Sequence, residues 1–235
     1  MWLLPSLGRP RQAQAVIDAC HATGMTQPAV LYVDGNPGAY QALSLPDNWR
    51  MVCAGSQVGI GQAMNWCYKT HPNERCYGWL ADDTYPETAG WCERIESETG
   101  DHSVVNVYDR YLCDNPHELR NVERGALFTS ATGFGGGLVR ALGWWAMPRL
   151  RQVGIDWIWT ELVRDIGIAK YLPDVIVRHD NFETGRRTFD STDHQSRKVD
   201  YSADVQLARS YLKSKNFEAD RKALLRLHEK HNRIR

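Results

Sequence analysis

Asp82 and Asp83 stand side by side directly after the apolar run 77–81. Adjacent carboxylates repel one another, and a divalent cation relieves that repulsion. Hard cations such as Mg²⁺ and Mn²⁺ take oxygen ligands and bridge diphosphates. Other polar residues occupy comparable places. Pro5, Ser6 and Arg9 follow the first apolar run, Asp34 the second, Gly55 and Gln57 the third, and His179 the last. Asp156 opens a segment of helical apolar spacing, where a carboxylate could accept a proton. Turn chemistry alone also puts Asp and Gly in such places. Asp156 equally suits a helix N-cap, Asp83 could cap the next helix, and His179 suits a solvated loop.

These residues gain meaning from the elements that must hold them. Short apolar runs at 2–5, 29–33, 51–54 and 77–81 read as strands, and 103–108 and 171–178 continue the series. Helical spacing at Ala13, Val16, Ile17 and Cys20, and again over 61–70, separates the early strands. Thr84 and Glu87 have capping-box spacing with Pro86 between them, which predicts a helix from 84 to 99 stopped by Gly100. The reading is α/β, a mainly parallel sheet with helices on both faces. In such a sheet ligands collect beyond the carboxyl ends of the strands. Four polar clusters fall there, and their convergence outweighs any one of them.

The pattern loosens after residue 110. Residues 111–124 are polar and irregular, and 126–132 reads as a strand. Gly133, Gly135, Gly136 and Gly137 read as a loop before a short helix over 138–142. Ile155, Ile158, Leu162 and Ile166 mark a helix stopped by Gly167. Residues 181–200 are polar and read as a mobile loop, and 201–235 as a helical tail capped by Ser202.

The chain has 235 residues, enough for one large α/β domain or two small ones. Its 28 Lys+Arg equal its 28 Asp+Glu, which excludes a uniformly basic nucleic-acid binder. The balance is uneven: residues 201–235 carry nine Lys/Arg against four Asp/Glu, and residues 1–200 carry 19 against 24. A local basic patch for a polyanion therefore survives the neutral total. So do an ordinary solvated face and a membrane-surface contact. No apolar run is long enough for a transmembrane helix or a secretory signal. Six scattered cysteines with no C-x-x-C pair fit reduced thiols in a cytoplasmic protein.

The order of these features resembles GT-A glycosyltransferases, especially the family 2 type. Trp79-Leu80-Ala81-Asp82-Asp83-Thr84-Tyr85-Pro86-Glu87 looks like their D-x-D region, although Ala81 stands where many members have the first Asp. Pro5 to Pro10 resembles the first-strand loop of the nucleotide pocket. Asp34 lies where an acidic base-binding residue is placed. Gly61-x-x-x-Asn65 resembles the helix before the D-x-D strand. Gly137 to Gly143 resembles the segment before the acceptor helix. Gly154-Ile155-Asp156 resembles the segment holding the catalytic base, with Ile155 in place of the usual Glu, and His179 matches a metal-binding histidine. The resemblance covers residues 1–180, a nucleotide-sugar half to about 110 and an acceptor half after it.

The resemblance implies a nucleotide-sugar donor, a UDP-sugar by preference, and Mn²⁺ or Mg²⁺ held by Asp83 and His179. It implies donor contacts from Pro5, Ser6, Arg9, Asp34, Asn65 and Asp82. Arg186 and Arg187 could fold over the phosphates, or form no more than a charged loop. Asp156 would deprotonate the acceptor hydroxyl in an inverting displacement. Gly136 allows close backbone approach, and Trp144 and Trp145 could stack an acceptor, though such tryptophans also serve as core. Acceptor classes that the resemblance leaves open are a glycan, a lipid, a protein or, as in some bacterial viruses, a modified base in DNA. Rival readings are a nucleotidyltransferase of similar sheet topology and a module that binds without turnover. The nucleotidyltransferase would want a glycine-rich first loop, and only Gly8, Arg9 and Arg11 are offered.

Overall fold

The computed structural model describes residues 1–182, 188–190 and 201–234. One eight-stranded sheet runs through it in the order β3-β2-β1-β4-β7-β6-β8-β5. The strands are β1 (Trp2–Ser6), β2 (Ala29–Val33), β3 (Trp49–Cys53), β4 (Cys76–Leu80), β5 (Thr84–Pro86), β6 (Val104–Asp109), β7 (Ala131–Gly135) and β8 (Ala169–His179). β1, β2, β3 and β4 are mutually parallel, and β6 is parallel to β8. β7 pairs antiparallel with both β4 and β6, so those two halves point the same way. β5 is antiparallel to β8. The sheet is mainly parallel, as expected, with β7 and β5 as its antiparallel strands. Strands β1, β2, β4, β6 and β8 all end at one edge, and Ser6, Asp34, Asp82, Asp109 and His179 lie there.

Both faces are covered, as near-continuous apolar strands require. In β1 the period of two sends Leu3 to one core and Trp2 and Leu4 to the other. The first core packs against helices α2 (Ile60–Thr70), α6 (Gly136–Leu142) and α7 (Ile155–Val163). The second packs against α1 (Pro10–Ala22) and α3 (Trp91–Thr99). Short helices α4 (Arg110–Cys113) and α5 (Pro116–Glu123) follow β6. Helices α8 (Tyr201–Leu212) and α9 (Lys215–Ile234) return to the first core through Ala208, Tyr211 and Leu224. Lys222, Arg226, Lys230 and Arg233 remain exposed on α9 at spacings that share one helix face. All six cysteines are unpaired, and five are buried. No helix among the described residues is long and apolar enough to cross a membrane.

Two expectations about local structure fail. Residues 84–86 form β5 instead of opening a helix, because β8 offers them an antiparallel partner with Thr84 opposite His179. The helix starts only at Trp91, behind Gly90 in the left-handed region. The glycine-rich stretch is not a loop either. Gly133 and Gly135 lie inside β7, and Gly136 begins α6. A Cβ at Gly136 would run into the Glu74 carbonyl oxygen, so glycine here permits close backbone packing. Residues 183–187 and 191–200 of the segment read as a mobile loop lie outside the described residues.

Candidate functional site

The edge where the strands end holds two connected hollows. The smaller, about 170 Å³, is lined by Pro5, Ser6, Arg9, Asp34, Asp82 and Asp83, with Trp79 and Ala81 in its wall. The larger, about 470 Å³, shares Trp79 and Ala81 and contains Asp156 and His179. Eight sequence-predicted positions thus converge on one continuous cleft.

Three networks fix the small hollow. Ser6 Oγ donates to Asp82 Oδ2 at 2.8 Å, and Arg9 Nη1 donates to Asp82 Oδ1 at 3.2 Å. Burial lifts the Asp82 carboxyl to about 6, against the pull of Arg9 and with the like charge of Asp83 adding to the rise. Arg9 also forms a forked ion pair with Asp190, Nε to Oδ2 at 2.9 Å and Nη2 to Oδ1 at 3.0 Å. Asp190 thereby ties residues 188–190 to Arg9. Asp34 accepts from Val58 N–H at 2.6 Å and Gly59 N–H at 3.0 Å, which pins the loop that starts α2.

The junction between the hollows is a chain of three charged groups. His179 Nε2 lies 3.3 Å from Asp83 Oδ1, and His179 Nδ1 lies 3.2 Å from Asp109 Oδ2. Asp109 is fully buried. It also accepts from Ser130 N–H at 3.1 Å, Ser130 Oγ at 2.6 Å and Tyr111 N–H at 3.0 Å. Burial would lower the His179 pKa, but the flanking carboxylates Asp109 and Asp83 overcome it and raise the group to about 9. Despite burial, the His179 imidazole and the Ser130 donors hold the Asp109 carboxyl below its ordinary range. Tyr111 packs edge-on against the imidazole at 5.3 Å.

Four predicted residues are placed elsewhere. Asn65 spends its side chain as a clamp: Nδ2 donates to Ala146 O at 2.7 Å, and Oδ1 accepts from Trp145 N–H and Ala146 N–H. Its role is to hold the turn after α6, because backbone groups use both ends of the amide. Trp145 is fully buried and Trp144 nearly so. They pack against Phe134, Trp159 and Tyr211 in the first core. A ring with no exposed face cannot stack a ligand, so both are core. Gly136 is buried against Glu74 and serves packing. Arg186 and Arg187 lie outside the described residues. Asp156 is exposed in the first turn of α7, behind Gly154 as N-cap, and no cap hydrogen bond involves it.

Asp109, Tyr40, Asp190 and Trp79 were not singled out from sequence as functional. Asp109 carries a readable signal, a carboxylate at the end of an apolar strand like Asp34 and Asp82. Tyr40 gives no comparable signal. Its hydroxyl lies 2.9 Å from Ser6 Oγ and accepts from Arg9 N–H at 2.9 Å.

This architecture is a GT-A-like α/β fold. No family model matches the chain, and no curated protein matches it. Solved structures do. A mannosyltransferase from Pyrobaculum calidifontis, in complex with GDP-Man and Mn²⁺, has a TM-score of 0.59 at 12% identity, over 94% of this chain and 72% of that one. Glucosyl-3-phosphoglycerate synthase from Mycobacterium tuberculosis, in complex with Mn²⁺, UDP and glucosyl-3-phosphoglycerate, has a TM-score of 0.59 at 14% identity, over 88% and 78%. TarS 1–349 from S. aureus, in complex with UDP, has a TM-score of 0.56 at 11% identity, over 100% and 91%.

Proposed function

We propose that this protein is a metal-dependent glycosyltransferase that moves a sugar from a nucleoside diphosphate sugar, a UDP-sugar by preference, to an acceptor hydroxyl. The observation that carries the reading is the Asp83–His179–Asp109 chain at the junction of a polar and an aromatic hollow. The mannosyltransferase and the synthase named above hold GDP-Man or UDP together with Mn²⁺, and TarS 1–349 holds UDP.

The donor set fits a divalent cation. Asp83 Oδ1 and His179 Nε2 are 3.3 Å apart, close to the ~3 Å separating neighbouring ligands of one octahedral ion. Asp109 accepts from Nδ1, the carboxylate–histidine arrangement that fixes the tautomer of a ligating imidazole. Among the described residues no third His, Cys, Asp or Glu joins them. One or two protein ligands plus substrate phosphates is the ordinary mode for small hard cations. When bound, the cation supplies positive charge to the leaving diphosphate.

The chain's own residues do the rest. Asp34 would take the nucleobase and the Ser6–Asp82 pair the ribose. Arg9 supplies positive charge beside the diphosphate once the donor displaces Asp190. Asp156 lines the same cavity as His179 and would accept the acceptor proton, which would make the transfer an inverting one. Asp109 and Asp83 raise the His179 pKa against burial, so a cation held here would compete with a proton on that ring.

The test is a panel of UDP- and GDP-sugars with Mn²⁺, followed by release of nucleoside diphosphate. Mn²⁺-dependent release is expected with at least one donor. Donor binding without turnover would favour a non-catalytic module, and release of pyrophosphate from a nucleoside triphosphate would favour a nucleotidyltransferase.

A further inference from the structure

The larger hollow has a wall chemistry of its own. Trp79, Tyr111 and Trp157 are half-buried and present ring surface to it, and Phe128 and Phe134 close its floor. Besides the phenols of Tyr111 and Tyr201, its wall has two aliphatic hydroxyls, both committed to the protein. Thr129 Oγ1 donates to Ala131 O at 2.9 Å, and Ser130 Oγ donates to Asp109 at 2.6 Å. Polar function is concentrated at Asp156, Gln152 and His179. The hollow is therefore mostly apolar, with several aromatic rings and a small polar cluster, room for a ring and a place for a hydroxyl.

Resting on the glycosyl-transfer reading, we propose that the acceptor is a neutral, planar ring compound bearing a hydroxyl, an aryl or heteroaryl alcohol. Flat rings stack on Trp and Tyr faces without needing hydrogen bonds along their length. A free hexose carries several hydroxyls that this wall would leave unpaired, and each one costs desolvation. An anionic acceptor would bring its charge toward the exposed Asp156 carboxylate. The volume of about 470 Å³ lies within the ordinary range for a small-molecule site. In the transfer step the acceptor oxygen forms the new bond to the sugar C1. Its proton passes to Asp156. The bond between C1 and the diphosphate oxygen breaks, and its electron pair leaves with the nucleoside diphosphate.

The test uses the full chain and 2-naphthalenemethanol as probe, measured twice. First, binding of the probe is followed by tryptophan fluorescence, in the wild type and in Trp157→Ala. Trp157 lines the larger hollow and is not part of the donor hollow. Saturable binding that weakens at least tenfold in the variant is expected. Second, transfer from UDP-glucose with Mn²⁺ is compared among the probe, glucose and 3-phosphoglycerate by mass spectrometry. A kcat/KM at least tenfold higher for the probe is expected. Trp157→Ala should raise the KM for the probe and leave the donor KM unchanged. Preferred transfer to glucose or 3-phosphoglycerate would overturn the inference, as would donor binding with no probe binding. Probe binding without any nucleotide-sugar binding or turnover would instead overturn the glycosyl-transfer reading and leave the cavity assignment standing. Failure of both would overturn both.

Discussion

Replacing Asp109 by Asn removes one charge from the fully buried end of the Asp83–His179–Asp109 chain and keeps the side-chain shape. In the wild type the two carboxylates hold His179 near 9 against burial. Taking one away should lower that value by about 1–2 units, the usual effect of one close opposite charge. The sign of the pH dependence follows. A histidine raised from 6.5 to about 9 contributes stability that is fully present below pH 6.5 and lost as pH rises through 9. That contribution is ~3 kcal/mol at low pH by linkage, and the variant should lose about half of it. The variant also turns one carboxylate oxygen into an NH2 donor, so the Ser130 donors on Oδ2 or the Tyr111 N–H on Oδ1 lose their acceptor, a cost of about 1–3 kcal/mol at any pH. The assay is urea denaturation of wild type and variant at pH 6.0 and 9.5, without metal. The destabilisation should be larger at pH 6.0 by about 1–2 kcal/mol. Equal destabilisation at both values would refute the claim that Asp109 acts on the charge of His179.

Further predictions concern separate parts of the site. Asp156→Asn should keep donor affinity in calorimetry and lose at least about 100-fold in transfer rate, the usual share of a general base; near-normal turnover would remove Asp156 from that role. Asp190→Ala should tighten donor binding about fivefold, since it frees Arg9 of a competitor whose partial exposure limits the pair to about 1 kcal/mol. Weaker donor binding in that variant would instead make Asp190 a support for Arg9. Gly136→Ala should cost about 1–3 kcal/mol or more, because its Cβ meets the Glu74 backbone, which cannot rotate away. A melting temperature equal to wild type would contradict that packing account.

The strand ends were legible because two independent signals coincide there. An apolar run followed by a polar cluster marks each strand, and parallel strands bring those clusters to one edge. Ser6, Asp34, Asp82 and His179 follow from that rule, and Asp109 obeys it as well. Thr84 misleads because its capping-box spacing with Glu87 is local, whereas its pairing with His179 spans the chain. Likewise, glycines 133, 135 and 136 resemble a loop, since a strand and helix that need close neighbours leave the same composition. Asn65 shows the limit of a matched motif. Its position agrees with the family pattern, but only the structure shows its amide spent on the Trp145–Ala146 backbone. Trp144 and Trp145 show the same for aromatics, whose burial cannot be read from residue type.

The central claim is that Asp83 and His179 hold a cation that binds the donor diphosphate. Calorimetric titration of UDP into the protein, with Mn²⁺ and then with EDTA, in wild type and Asp83→Ala, tests it most directly. Mn²⁺-dependent UDP binding is expected in the wild type and none in the variant, with both proteins melting cooperatively. UDP affinity that is the same in Mn²⁺ and EDTA, or unchanged by Asp83→Ala, would contradict it.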